Sequence, residues 1–106
     1  MADEAGKTVA QGDPEVSEAV DFARYYARQG LRSAGVEGAV ASALGTIVVT
    51  PPWNFPAAIP AGGVLASLAA GNAVILKPAP QSRRTARLVA ECCWAAGVPD
   101  DVLRFV

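Results

Sequence analysis

The sequence of 106 residues contains no histidine and only two cysteines. Without histidine, this chain has no imidazole to activate a nucleophile, to act as a general base near neutral pH, or to bind a metal ion. The cysteines are adjacent, Cys92 and Cys93, which is neither a zinc-binding spacing nor an arrangement that links distant segments. We therefore expect neither a metal site nor a disulfide between separate elements.

The chain also lacks any block of like charges. Nine Lys and Arg residues stand against ten Asp and Glu residues, which removes the electrostatic reason for binding nucleic acid or an anionic membrane. Proline, glycine and charged residues interrupt every apolar run, so no segment is long enough to cross a bilayer. The residues after Met1 are acidic where a signal peptide is basic, so a cytoplasmic location is expected by default.

Apolar residues make up 52% of the chain, enough for one domain with a modest core. Asp13 and Pro14 are typical of a helix start, and apolar residues then recur at helical spacing as far as Gln29, with Glu15 on the outward face. Short β-branched runs bounded by glycine and proline indicate buried parallel strands. The predicted elements are helix 14–29, a loop 31–45 with at most a short strand 38–42, strand 46–50, helix 56–70, strand 73–77, helix 83–96 and strand 102–106.

This order predicts an α/β fold, in which an N-terminal helix precedes one half of a doubly wound parallel sheet of the β-α-β-α-β type. Successive right-handed crossovers would place all three strands in one sheet with helices on its faces. We expect the strand Thr46–Thr50 to be central, because it is apolar throughout. Gly30 is expected to end the first helix, and Ser82 to cap the last one.

Two polar residues, Asn54 and Lys77, follow the first two predicted strands. Ligands of open α/β sheets bind at the carboxyl ends of the strands, where both residues would lie. The amide of Asn54 suits an oxyanion, although turn asparagines more commonly satisfy their own backbone. Lys77 is either a donor to ribose or phosphate or a side chain that reaches solvent. Trp53 is either a wall of a ligand cleft or a plug beneath the turn.

Neither the cysteines nor the glycines carry a recognisable site. A nucleophilic cysteine needs a base or an electropositive setting, which Cys92 and Cys93 lack, so burial in the helix is expected. Gly62 and Gly63 lie within a predicted helix, and no G-x-G-x-x-G follows either strand. The usual dinucleotide fingerprint is therefore absent.

Three stretches together resemble the aldehyde dehydrogenase superfamily: TPPWNFP (Thr50–Pro56), AAGNAVILKPAPQ (Ala69–Gln81) and EAGKT (Glu4–Thr8). The combination of a W-N-F-P turn with a following G-N-x-V-x-x-K-P strand is specific, and the likeness extends to AGVP at residues 96–99. EVSEAVDFARYYA (Glu15–Ala27) resembles the corresponding helix of the 1-pyrroline-5-carboxylate dehydrogenase branch. That branch includes the dehydrogenase half of bifunctional proline-utilisation proteins.

The resemblance implies a Rossmann-like half-sheet that forms a partial NAD(P)-binding domain over residues 1–106. It implies NAD or NADP as cofactor and a small aldehyde, L-glutamate γ-semialdehyde, as substrate. In the family, the equivalent of Asn54 stabilises the oxyanion and the equivalent of Lys77 binds the hydroxyls of the adenosine ribose. The other implied cofactor residues are Thr50, Pro51, Pro52, Trp53, Ala79 and Pro80. Many members have Glu where this chain has Pro80, which leaves the preference between NAD and NADP open.

The resemblance also implies a fragment. The catalytic cysteine, the general-base glutamate and the second glycine-rich turn of the family have no counterpart in this chain, so we expect negligible dehydrogenase activity from it alone. The full-length protein would be a homo-oligomer. Two other interpretations stay open: a non-catalytic nucleotide-binding or interaction module, and a piece without function, whose strand edge and apolar helix would favour aggregation.

Overall fold

The structure is a computed structural model that describes residues 1–33 and 35–106. In chain order it contains helices α1 (Ala2–Ala5) and α2 (Val9–Ser33), strand β1 (Thr46–Val49), helix α3 (Ala58–Ala69), strand β2 (Ala73–Leu76), a short 3₁₀ turn (Pro80–Ser82), helix α4 (Arg83–Ala95) and strand β3 (Leu103–Phe105). The predicted α/β order is confirmed. No strand forms in the described residues between α2 and β1, so the short strand at 38–42 is wrong.

The three strands form one parallel sheet in the order β1-β2-β3. The prediction that Thr46–Thr50 is central is therefore wrong, because β2 pairs on both sides and β1 lies at an edge. Val48 of β1 is 56% exposed. Apolar composition indicates that a strand is buried on a face, but it does not say how many neighbours the strand has, and this caused the error.

Helices α3 and α4 cover the same face of the sheet, not one face each. Val74, Leu76 and Leu103 point toward that face and form a buried core with the small side chains of α4. Their strand neighbours alternate to the other face, where Arg104 is exposed. Two right-handed crossovers that both step in the same direction place both helices on one side.

Helix α2 begins at Val9 and not at Pro14. The amide of Thr8 donates to Oε1 of Gln11 over 3.0 Å, and the amide of Gln11 donates to Oγ1 of Thr8 over 3.3 Å. This reciprocal pair is a capping box, and it satisfies two amides that a helix start leaves open. Pro14 therefore lies inside the helix. The predicted helix start at Asp13 and Pro14 is wrong, because the capping box lies closer to the N-terminus and the helix begins there.

Helix α2 packs mainly against α3. It continues past Gly30, where a Cβ atom would lie 2.7 Å from the carbonyl oxygen of Ala69 in α3. At Gly62 of α3, a Cβ atom would lie 3.2 Å from the ring of Phe22. Gly30 is therefore a packing residue that allows the two helices to approach, and the prediction that it ends the helix is wrong.

The buried stripe of α2 differs from the expected one. Glu15, expected on the outward face, is only 3% exposed, whereas Val16 and Val20 are 50% and 44% exposed. Helical spacing predicted one apolar stripe on α2, whereas contact with α3 buries a neighbouring stripe that includes Glu15. Among the described residues, no helix is both long enough and apolar enough to cross a membrane.

Candidate functional site

The candidate site is the edge of the sheet where β1 and β2 end. The amide of Lys77 donates to the carbonyl oxygen of Val49 over 2.9 Å, so the chain leaves both strands side by side. The turn after β1 carries Thr50 to Ala57, and the turn after β2 begins with Lys77. Asn54 and Lys77 are both exposed. The structure thus brings the two segments with the predicted site residues to one edge, with both polar side chains accessible.

The other predicted cofactor residues fall into two groups. Thr50, Pro51 and Pro52 border an open groove of about 380 Å³. The remaining walls of this groove come from α2 and α3: Phe22, Tyr26, Ile59, Gly62 and Gly63, together with Val49 of β1. The second group lies outside the groove lining: Trp53, 50% exposed, with Ala79 half-buried and Pro80 exposed.

Glu15 is the most informative side chain near this edge, and the sequence did not single it out. Its Oε1 accepts hydrogen bonds from the amides of Ala57 and Ala58 at 2.6 and 3.1 Å, at the start of α3. Its Oε2 forms an ion pair with the ammonium group of Lys7. A buried carboxylate is stable only when it is paired and hydrogen-bonded, and the positive end of the α3 dipole adds to this stabilisation.

Lys7 connects this carboxylate to the turn itself. Its Nζ atom lies 4.2 Å from the centre of the Phe55 ring, the residue that follows Asn54. An ammonium group over an aromatic face is attracted by the ring quadrupole. Lys7 therefore contacts Phe55 of the turn after β1 directly. It is also linked to the end of that turn by its ion pair with Glu15, which accepts the amide of Ala57.

Glu4 has the same role at the start of α4. Its carboxylate accepts the amides of Arg84 and Thr85 at 2.6 and 2.7 Å, and the hydroxyl of Thr85 at 2.7 Å. Partial burial raises the pKa of Glu4. The hydrogen bonds and the N-terminal ammonium group lower it by more than burial raises it, so the pKa of Glu4 lies below its ordinary value of 4.5. Ser82 is the N-cap residue of α4, as predicted, but its side chain makes no capping hydrogen bond, so the expected stabilisation by that side chain is wrong.

Both helix N-termini at this edge are therefore occupied by carboxylates. A phosphate group commonly binds to open amides at such a position. Here Glu15 and Glu4 already accept those amides, and their charges would repel an anion. This arrangement agrees with the absence of a G-x-G-x-x-G turn. At this edge, Lys77 and the walls of the two turns suit the sugar of a nucleotide. Neither helix N-terminus has open amides for its phosphates.

The cysteines lie away from this edge. Helix α4 starts at the carboxyl edge and runs back, so Cys92 and Cys93 belong to its last turn, at the opposite edge of the sheet. Cys93 is buried and Cys92 is exposed. Burial raises the pKa of the Cys93 thiol, and the neighbouring Cys92 raises it further. Both observations agree with a packing role for Cys93 and not with a nucleophile.

Sequence reasoning missed Glu4, Lys7 and Glu15 as functional candidates. A signal was present for two of them, since Glu4 and Lys7 belong to the EAGKT stretch. No local signal marks Glu15, because its partners Ala57 and Ala58 are more than forty residues away along the chain.

The whole chain is similar to proteins of one known family. It matches the aldehyde dehydrogenase family over residues 1–106. It is 42% identical over 116 residues to a 1-pyrroline-5-carboxylate dehydrogenase of Geobacillus sp. (strain WCH70), covering 100% of this chain and 22% of that protein.

Solved structures share this fold. The structure of Proline Utilization A (PutA) from Corynebacterium freiburgense has a TM-score of 0.87 and 49% identity, covering 97% of this chain and 11% of that one. A 1-pyrroline-5-carboxylate dehydrogenase from Thermus with bound NAD has a TM-score of 0.84 and 38% identity, covering 94% and 22%. The chain thus spans about a fifth or less of the length of these relatives.

Proposed function

This chain belongs to the aldehyde dehydrogenase family, and on that premise we propose that it forms part of the NAD(P)-binding domain of an enzyme that oxidises an aldehyde to the carboxylic acid. The names of the similar proteins favour L-glutamate γ-semialdehyde as the aldehyde, and proline catabolism as its context. Assembly of the full-length protein into a homo-oligomer and a cytoplasmic location are parts of the same proposal.

One observation carries this proposal: the turns after β1 and β2 leave adjacent parallel strands at one edge, with Asn54 and Lys77 exposed on them. We propose that the Lys77 ammonium group donates hydrogen bonds to the ribose hydroxyls of the cofactor. NAD, with NADP as the alternative, would supply the hydride acceptor. Thr50, Pro51, Pro52, Trp53, Ala79 and Pro80 would form the walls around it.

The groups of this chain fit one end of such a cofactor. Lys77 has three donors and no competing ion pair among the described residues, which suits a pair of ribose hydroxyls. The pyrophosphate does not fit either helix N-terminus, because Glu4 and Glu15 occupy both. The proposal therefore assigns the ribose, and not the pyrophosphate, to this chain.

We propose that Asn54 donates its side-chain amide to the oxyanion that develops on the aldehyde carbon. Asn54 is exposed in a turn flanked by prolines, which leaves its side-chain amide accessible. One such donor contributes about 3 kcal/mol to lowering a barrier. Enzymes lower barriers by roughly 8 to 23 kcal/mol in total, so Asn54 without a nucleophile cannot support turnover.

The position of the cysteines favours a second candidate for the isolated chain, a nucleotide-binding module without catalysis. Neither thiol lies at the edge that carries Asn54 and Lys77. Binding of cofactor would then be the one activity that this chain retains.

Titration of the chain with NAD by isothermal calorimetry tests the shared part of both candidates. We expect saturable binding that Lys77→Ala weakens about tenfold, a loss of about 1.4 kcal/mol. Arg83→Ala is the matched control, because it removes an exposed positive charge from the start of α4. Equal affinity of Lys77→Ala and the original chain would contradict the assignment of Lys77.

A further inference from the structure

The first fifteen residues contact both turns of the candidate site. Glu15 accepts the amides of Ala57 and Ala58, just after Asn54. Glu4 accepts the amides of Arg84 and Thr85, at the end of the turn that begins with Lys77. Each carboxylate therefore holds the helix start that closes one of the two turns.

One short piece of chain carries both carboxylates. Gly6 is the C-cap residue that follows helix α1, and its φ of 64° turns the chain toward α2. Lys7 follows immediately and forms the ion pair with Glu15, and its ammonium group lies over Phe55. We call Glu4, Lys7 and Glu15 the clamp.

The helix starts of α3 and α4 are capped by residues that are distant in sequence, and this makes the caps dependent on how the elements are packed. An ordinary cap comes from the residue before the helix, and it satisfies the amides wherever the helix lies. Ala57 and Ser82 hold those positions before α3 and α4, and neither makes a side-chain capping bond. The amides are satisfied only while each helix start stays against the N-terminal segment, so the clamp links the positions of the two helix starts.

We propose that the clamp sets the separation of the turns after β1 and β2, and so positions Trp53 and Asn54 relative to Lys77. Glu4, Lys7 and Glu15 are positioning residues in this scheme, and they act through the helix starts without contact to cofactor or substrate. The consequence for cofactor affinity rests on the proposed function. The consequence for the geometry of the turns does not.

The side chains of the clamp can be neutralised with small changes in shape. Glu15→Gln and Glu4→Gln keep an oxygen acceptor but remove the charge. In Glu15→Gln, the introduced amide group would also place a donor against the ammonium group of Lys7. Asp3→Asn and Glu18→Gln are matched controls, because both carboxylates are exposed and lie on α1 and α2.

Two measurements, made at a temperature where circular dichroism shows every variant folded, test the proposal. The first is the dissociation constant for NAD, which we expect to rise on the order of tenfold in Glu15→Gln and by a smaller factor in Glu4→Gln, because charge-assisted hydrogen bonds are lost. The second is the set of backbone amide chemical shifts of residues 53–55 and of Lys77 and Ala79, since Pro78 has no amide hydrogen. We expect these shifts to change in both variants and to stay constant in both controls.

The double variant Glu4→Gln/Glu15→Gln adds a coupling test. If one segment links both turns, the effects of the two substitutions on the amide shifts of residues 53–55, Lys77 and Ala79 will not add. A merely structural role would lower the melting temperature and leave the dissociation constant and these shifts unchanged, and that result would overturn the proposal. If the original chain does not bind NAD, the proposed cofactor role fails, while the amide shifts still decide the role of the clamp.

Discussion

Two asparagines differ in burial, and the difference distinguishes a structural role from the role that we propose for Asn54. Asn72 is buried, and its Oδ1 accepts the amides of Leu44 and Gly45 at 2.6 and 3.0 Å. Its Nδ2 donates to the carbonyl oxygen of Ser67 over 3.1 Å. Asn72 thereby fixes the entry to β1 against the end of α3. Asn54 is exposed in its turn, which leaves its amide accessible to a ligand.

Substitution of Asn72 by Ala should lower the free energy of unfolding by about 2 to 4 kcal/mol, because two backbone amides lose their acceptor in a partly buried place. Asn54→Ala is the matched control, and it should change that free energy by less than about 0.5 kcal/mol. Urea unfolding followed by circular dichroism measures both. Comparable losses in the two variants would mean that Asn54 is a structural turn residue, the commoner role for asparagine.

Glycines of α2 and α3 are explained by contacts and not by turns. A Cβ atom on Gly63 would lie 2.8 Å from Cγ1 of Val49 in β1, closer than packed atoms allow. Gly62 and Gly30 make similar close approaches between helices. The sequence showed glycines in helical segments, where glycine is unfavourable, but only the neighbours of each glycine reveal why it is there.

At the scale of elements, the fold depends on caps that span long distances. The described part of the chain contains one local capping box, Thr8 with Gln11. The starts of α3 and α4 instead use Glu15 and Glu4, which are far from them in sequence. The start of each of these helices therefore depends on two things: its own sequence, and the position of an acceptor in the N-terminal segment.

Stability should fall with acid partly through Glu4. Because its pKa is below 4.5 in the folded state, its contribution is complete above the unfolded pKa and is lost as the pH falls through the lower, folded pKa. Glu4→Gln should therefore reduce the loss of stability between neutral and acidic pH. The groups that face Glu4 are the N-terminal ammonium group, Arg84 and Thr85.

Denaturant midpoints measured across that pH range for the original chain, Glu4→Gln and Asp3→Asn provide the check. Asp3 is exposed on the same short helix and controls for loss of a nearby charge. A profile for Glu4→Gln parallel to that of the original chain would show that ionisation of the Glu4 carboxylate contributes no stability.

At the scale of the whole molecule, the chain forms a proposed cofactor-binding edge without a nucleophile beside it. The edge carries Asn54 and Lys77, whereas the thiols lie in the last turn of α4. We expect no measurable reduction of NAD in the presence of glutamate semialdehyde. A full-length 1-pyrroline-5-carboxylate dehydrogenase in the same absorbance assay serves as the positive control. Formation of NADH by this chain, abolished by Cys92→Ser, would contradict the expectation.

The sequence by itself determined the order of elements, the parallel sheet and the edge at which the predicted site residues lie. These follow from local information, because alternation, helical spacing, proline and glycine act over a few residues and the handedness of crossovers then fixes how parallel strands meet. The helix spans were predicted well for α4 and less well for α2, where a capping box lay outside the expected start.

Only the tertiary structure decided which strand is central, which stripe of α2 is buried, and what satisfies the starts of α3 and α4. Each of these depends on a partner that is distant in sequence: a neighbouring strand, the small residues of α3, or a carboxylate more than forty residues away. A charged residue such as Glu15 is predicted to be exposed because burying an unpaired charge is costly. Its amide and ammonium partners, brought together only by folding, remove that cost.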